Sequence, residues 1–473
     1  MKVALVHYHL RPGGVATVIR DQATALRGRA DCLVLSGEAP AETLASGPEF
    51  RVRVVPGLAY SSAGRPGAEA RETARAIRQA MADEWGASAD VVHVHNPLLN
   101  KNARLPEILR HLQDQGMELF LQVHDFAEDG RPSSYYGTGD YPRDCHIGVI
   151  NSRGREALLA AGCSSRGVHL MWNLVKPLGP LPRRSAPRRR GQPLDVVYPV
   201  RAIRRKNIGE ALLVSMLLDG SLTLTLPPRD EGDAARYSRW KEFAGERGLA
   251  AVFEAGLSRP LEQVMGSADG VLTTSVNEGF GFAFLEPWTA GIPVGGRRVD
   301  HVCGDFETDG VRNPLLYAVL PVPVDCFDVS SFSERWRASI GAAFRAFGKA
   351  LPEDAVADTW RIMTGDGMID FACLDEQAQA EVIARLQSDR RRARLVARRE
   401  LGALRKGFEH PDRPLADANA SHIKERYGPQ RYGALLSRTY DAVLAEPVAH
   451  RIDRQALLEF FLRPENFKII AQR

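Results

Sequence analysis

Short apolar runs alternate with longer amphipathic stretches along most of the chain. Lys2-Val3-Ala4-Leu5-Val6-His7 opens the series, and similar runs recur at Cys32–Leu35, Val91–His95, Leu119–Val123 and Ile147–Ile150. Their near-continuous hydrophobicity predicts strands buried on both faces. Between most of them lie stretches of helical periodicity, at Val15–Leu26, Ala68–Trp85 and Arg104–Gln115. Strands that alternate with helices in this way predict a parallel sheet covered on both faces.

The pattern breaks once and then restarts. Between Pro177 and Pro193 the chain carries five prolines and five arginines (Arg183, Arg184, Arg188, Arg189, Arg190) and almost no large apolar residue, the composition of a linker. A second series comes after it, with strands at Asp195–Val200, Leu222–Leu226, Ala251–Glu254 and Gly270–Thr274, a helix from Ile208 to Leu218, and another helix starting near Phe282. Residues 327–370 fit the alternation poorly and predict a mostly helical insertion. The expected organisation is an α/β lobe over 1–176, a linker over 177–194 and a second α/β lobe over 195–443. A helical tail over 444–473 is expected to pack back on the first lobe.

Composition narrows the picture. With 473 residues, 44% hydrophobic and 25% charged, the chain has the makeup of packed globular domains and is too long for one ordinary core. The apolar start gives way to His7-Tyr8-His9 too soon for a signal peptide, and no run reaches the roughly 18 to 20 apolar residues of a spanning helix. The expectation is a cytoplasmic protein. Six cysteines without a Cys-x-x-Cys pair read as reduced packing residues, and a net charge of +4 on so long a chain argues against nucleic acid as a partner.

The densest chemistry lies in Ser275-Val276-Asn277-Glu278-Gly279-Phe280-Gly281-Phe282-Ala283-Phe284-Leu285-Glu286-Pro287. Two carboxylates flank a Gly-x-Gly turn where a strand gives way to a predicted helix, the place where open parallel sheets bind ligands. Glycine amides and a helix start there favour a phosphate, and the carboxylates can accept hydrogen bonds from sugar hydroxyls. The plain alternative is a surface turn with two solvated glutamates. The loop Arg11-Pro12-Gly13-Gly14 after the first strand lacks the third glycine of a dinucleotide-binding fingerprint. The pairs His7/His9 and His93/His95 place imidazoles on one strand face but bring no further ligands, and Asp-x-Asp is absent, so no metal site is expected.

The spacing of Glu278 and Glu286, with seven residues between them, resembles the Glu-x7-Glu signature of the retaining glycosyltransferases of group 1 (family 4). The likeness extends to the flanking Glu-Gly-Phe-Gly and to Ala290-Gly291-Ile292-Pro293-Val294. Upstream, Arg201-Ala202-Ile203-Arg204-Arg205-Lys206 is similar to that family's Arg-x4-Lys segment, Gly13-Gly14 to its first glycine loop, and His124-Asp125 to its cleft histidine. The similarity covers about Met1 to Pro293.

The resemblance implies a GT-B fold, with two Rossmann-like parallel-sheet lobes facing a central cleft. It also implies retaining, metal-independent transfer of a hexose-type sugar from a nucleoside-diphosphate sugar to a hydroxyl of a small-molecule, glycan or lipid-linked acceptor. Glu278 then contacts the transferred sugar and Glu286 the ribose. Arg201 and Lys206 stabilise the departing diphosphate, His124 lies near the reacting sugar, and Gly13, Gly14, Gly279, Phe280 and Gly281 line the donor. No cofactor is implied. A GT-B isomerase or phosphorylase, or a silent nucleotide-sugar binder, is the alternative.

Past Pro293 the likeness thins. Arg297, Arg298 and Asp300 stand where the family has other residues, and are either local binding groups or, more simply, surface ion pairs. Six arginines between Arg390 and Arg399 form a helical basic run. It is either a solvated face or a peripheral contact with an anionic membrane.

Overall fold

The computed structural model describes residues 1–40, 51–61, 68–137, 140–179, 181 and 192–472. The chain divides into two compact units, Met1–Leu174 with Tyr427–Leu462, and Val175–Arg426 with Arg463–Arg473. Most of the proline- and arginine-rich stretch predicted as a linker, including all five of its arginines, lies outside the described residues.

In the first unit β1 (Lys2–His7), β2 (Asp31–Ser36), β3 (Val52–Val54), β4 (Val91–His95), β5 (Leu119–Val123), β6 (His146–Val149) and β7 (Val168–Leu170) form one parallel sheet. Its order is β3-β2-β1-β4-β5-β6-β7, so the order reverses between β1 and β4. Every residue of β4 and β5 is buried, as expected of strands covered on both faces. Helices such as Gly14–Ala25 and Ala68–Trp85 make the crossovers.

The second unit repeats the plan with β8 (Asp195–Arg201), β9 (Ser221–Leu226), β10 (Ala251–Val252), β11 (Gly270–Thr273), β12 (Val294–Arg297) and β13 (Leu316–Tyr317). The order is β10-β9-β8-β11-β12-β13, all parallel, with the reversal between β8 and β11. Both units are therefore Rossmann-like. Beyond β13, the helices Val329–Ala346 and Glu353–Thr364 stand between two short antiparallel strands, Pro321–Pro323 and Met368–Asp370.

The ends of the chain depart from the expected boundaries. The helix Pro429–Ala445, nearly all of which falls in the range 195–443 expected of the second lobe, belongs to the first unit. Its Tyr432, Leu436, Tyr440 and Val443 are buried in one cluster with Leu5, Ile19 and Phe120. The tail is also split. Residues to Leu462 stay with the first unit, and the last eleven, with Phe467, Ile469 and Ile470 buried, belong to the second. Among the described residues no helix is long and apolar enough to cross a membrane.

Candidate functional site

The reversal of strand order between β8 and β11 opens a crevice at their carboxyl ends, and the loops leaving these strands carry the predicted chemistry. Arg201 ends β8. Three residues on, Arg204–Lys206 forms a 3-10 turn that closes with Asn207 in the left-handed region, φ 53°. From the loop after β11, Glu278 reaches back to this turn and forms an ion pair with Lys206 Nζ. Both are largely buried, Glu278 at 8% exposure. Burial alone would raise the Glu278 carboxyl, but Lys206, then Arg205, and a hydrogen bond from Ser275 hold it below its ordinary value. Glu278 is therefore a fixed anion at neutral pH. The Lys206 carbonyl accepts from Tyr198 Oη at 3.1 Å and Thr274 Oγ1 at 3.0 Å, so the turn is pinned to β8 and to the β11 loop.

Two further cations belong to this place and were not singled out from sequence. Arg205 lies beside Glu278, with its Nε buried and without a hydrogen-bond partner among the described residues. Arg229 lies after β9, the strand next to β8, and faces Arg201. Burial and then Arg229 push the Arg201 guanidinium below its usual value, while Arg201 Nη1 donates to Pro227 O at 2.8 Å. Arg205 stands inside the quoted motif, and Arg229 lies just past a strand's carboxyl end. That position was the available signal for it.

The Gly-x-Gly turn is built as its sequence requires, but it does not lead into an α-helix. Gly281 has φ 86°, and a Cβ there would come within 2.6 Å of Val302 and 2.9 Å of Phe284, so only glycine fits. The chain then makes two 3-10 turns, Phe282–Phe284 and Glu286–Ala290, which end at Gly291 in the left-handed region. Pro287 supplies no N–H, and Gly291 stops the second turn after five residues. The helix start expected to favour a phosphate is absent. The Phe280 ring packs on Phe282 and Phe306.

Glu286 sits in a different setting from Glu278. Burial raises its carboxyl to about 7, opposed by Lys176. Lys176 comes from the segment that enters this unit, which Leu178 N anchors to Thr289 Oγ1 at 2.9 Å. A half-buried carboxylate facing one lysine suits an acceptor for paired hydroxyls.

The first unit carries His124, Gly13 and Gly14. His124 lies just past β5, and Asn96 Oδ1 accepts from the amides of both His124, at 2.7 Å, and Asp125, at 3.2 Å. His124 Nε2 is 2.9 Å from His95 Nδ1, so one of these nitrogens carries the shared proton. Burial lowers His124 to about 4 and His7 and His93 to about 3, and holds His95 well below its ordinary value, so all four imidazoles are neutral. Among the described residues no group of three or more His, Cys, Asp or Glu is placed to hold a metal. A Cβ on Gly14 would meet nothing within 4 Å, and on Gly13 only Arg11 O at 3.8 Å, so the loop is open to an approaching molecule.

Arg297 is not a surface residue. It is 1% exposed and uses all five of its donors, on Glu210 at 2.8 and 2.9 Å, Asp370 at 2.7 and 3.0 Å, and Ala318 O at 3.0 Å. The pattern that hid this is local. Arg297 ends β12, inside the lobe, and its partners lie 87 and 73 residues away. Arg298 does make the exposed pairs expected of it, with Asp300 and Glu307.

No protein-family model matches the sequence. Mannosylglucosyl-3-phosphoglycerate synthase of Petrotoga mobilis is 23% identical over 316 residues, which is 60% of this chain and 62% of that protein, so the match spans less than two thirds of the relative's length. Among solved structures, Anabaena HepE in complex with UDP and glucose aligns with a TM-score of 0.51, covering 93% of this chain and 99% of its own at 13% identity. Sucrose-phosphate synthase from Thermosynechococcus elongatus aligns at 0.50, covering 94% and 99% at 14% identity. Likeness at these identities is one of fold, and the chain has the two-domain GT-B fold.

Proposed function

We propose that this chain is a retaining glycosyltransferase that moves a hexose-type sugar from a nucleoside-diphosphate sugar to a hydroxyl acceptor without a metal ion. The observation that carries the reading is the meeting of Lys206 and Arg205 with Glu278 at the β8/β11 crevice, next to Arg201 and Arg229. Cleavage of the donor's sugar–phosphate bond leaves charge on the distal phosphate. Fixed cations at that point stabilise the transition state more than the ground state, and supply the charge a metal otherwise brings. Glu278 orients the sugar, and Glu286 accepts from the ribose. The leaving phosphate takes the acceptor's proton on the face of attack, so no carboxylate serves as a nucleophile. His124, neutral, is suited to a hydroxyl of the reacting sugar. The synthase activities for which the Petrotoga relative and sucrose-phosphate synthase are named, and the UDP and glucose bound to HepE, agree with this reading.

Thermal melts with UDP, GDP and ADP test donor binding. One nucleotide at 100-fold its Kd is expected to add about 2.7 kcal/mol of stability, and no shift with any of them counts against the reading. Retention is read from the anomeric configuration of the product by NMR.

Glu286 gives a pH test. Its carboxyl, raised by burial to about 7, is half protonated there, whereas ribose hydroxyls donate to the ionised form. Donor affinity is therefore expected to rise as pH goes from about 6 to 8 and level off above, by at most about tenfold per unit below 7. UDP-glucose is the better probe, since its diphosphate has no proton titrating in that window. A flat wild-type profile, or one that persists in Glu286→Gln, would remove the ribose role.

The reading includes contact with an anionic membrane. In the helix Arg390–Glu400, Arg391, Arg394, Leu395 and Arg398 share an exposed stripe, while Arg392 is tied to Asp325 at 3.0 Å. Sedimentation with phosphatidylserine vesicles that disappears at high salt is the expected result; no binding at low salt excludes the contact.

A further inference from the structure

The part of the chain that departs most from the family resemblance, beyond Pro293, contributes to the surroundings of the catalytic turn. The carbonyl side of the Arg204–Lys206 turn is pinned by Tyr198 and Thr274, from β8 and the β11 loop. Its opposite side is held by residues far along the sequence. Arg204 makes a two-pronged pair with Glu376, Nε to Oε1 at 2.6 Å and Nη2 to Oε2 at 2.9 Å. The Arg204 amide donates to Asp233 Oδ1 at 3.1 Å. Asn207, whose left-handed conformation ends the turn, is 2% exposed and accepts from Gln379 Nε2 at 2.9 Å. Its Nδ2 donates to Glu210 Oε2 at 2.7 Å, which joins it to the buried Arg297 cluster.

Glu376 and Gln379 occupy the first turn of the helix Glu376–Ser388, whose cap is Asp375. Asp375 in turn accepts from Arg335 on Val329–Ala346, at 2.5 and 3.2 Å. The tail returns to the same place. Ile470, 2% exposed, lines one cavity with Arg204, Asn207, Glu376 and Gln379. A lysine that must meet a developing charge within a fraction of an ångström needs its backbone fixed from both sides.

We propose that Glu376 and Gln379 are positioning residues for Lys206, and that the inserted helix Val329–Ala346 and the C-terminal tail serve the reaction by holding them. The proposal rests on the glycosyltransferase reading for its kinetic consequence, but its structural content stands without it.

The test uses the full chain with Glu376→Ala, Glu376→Gln and Gln379→Leu, each also in a Lys206→Ala background. UDP-glucose is the probe, and its consumption in water is monitored as UDP release. Glu376→Ala and Gln379→Leu are expected to lower kcat about tenfold with little change in KM. Glu376→Gln, which keeps one acceptor for Arg204, recovers part of the loss. In the Lys206→Ala background the same substitutions are expected to cost nothing more, because the group they position is gone. Deuterium uptake is measured in parallel on proteins without nucleotide. Faster exchange at 203–207, with the strands of the second unit unchanged, is the expected signature. Equal losses in both backgrounds, or unaltered exchange at 203–207, would overturn the proposal. If the wild type releases nucleotide from no sugar donor, the functional reading fails, and the exchange data still decide the positioning role.

Discussion

Lys206→Ala is expected to lower donor turnover by about 10²- to 10³-fold, the cost of removing one preorganised charge from a transition state that builds negative charge. On the proposed reading KM for the donor should move far less, because Arg201, Arg205 and Arg229 would remain to bind the diphosphate in the ground state. The substitution also leaves Glu278 buried without its ion-pair partner, so a melt is needed beside the kinetics. A variant that is folded at the assay temperature, binds donor and fails to turn it over is the predicted outcome. Lys206→Arg keeps the charge but not the shape of an ammonium on a flexible stem, and is expected to fall between the two. Wild-type turnover in Lys206→Ala would remove this residue from the mechanism.

The second large effect is on stability. Arg297→Met is expected to destabilise the second unit by about 3–5 kcal/mol, because it strands Glu210 and Asp370 in the interior. Burial raises Glu210, with Arg297 opposing; Arg297 holds Asp370 low against its own burial. Removing the guanidinium therefore forces both carboxyls toward their neutral forms. Adding Glu210→Gln and Asp370→Asn to Arg297→Met should restore part of the loss. Chemical denaturation of the wild type, the single variant and the combined variants checks this, and a single replacement costing no more than a surface pair would show the cluster to be unimportant. The substitution should also loosen the inserted helices, since Asp370 closes the strand pair that flanks them.

How much of this was legible in the sequence depends on the range of each interaction. β4 and β5 are wholly apolar or buried-polar runs bounded by turn residues, a local signal, and they lie where the pattern put them. Glu278, Lys206 and Arg201 stand in short motifs, and the strand that presents each is predictable from neighbours a few residues away. Three short strands, Val52–Val54, Val168–Leu170 and Leu316–Tyr317, are too brief for periodicity to register and exist because a longer neighbour pairs with them. The turn after Gly281 misled for a different reason. Phe282 to Trp288 has helical spacing of large residues, but Pro287 and Gly291 cut it into 3-10 turns. Arg297, Glu376 and the last eleven residues could not be placed, because their partners lie dozens to hundreds of residues away. A charged residue at the end of a strand reads the same whether it meets water or two carboxylates.

On the proposed reading, side-chain cations at the β8/β11 crevice drive departure of a nucleoside diphosphate. This is tested most directly by incubating the chain with UDP-, GDP- and ADP-sugars under a chelator and measuring release of the diphosphate, in wild type, Lys206→Ala and Glu278→Gln. Release from one donor class by the wild type with the chelator present, and its loss in both variants while nucleotide still binds, is the expected result. Release that needs a metal, or that survives both substitutions, would contradict it.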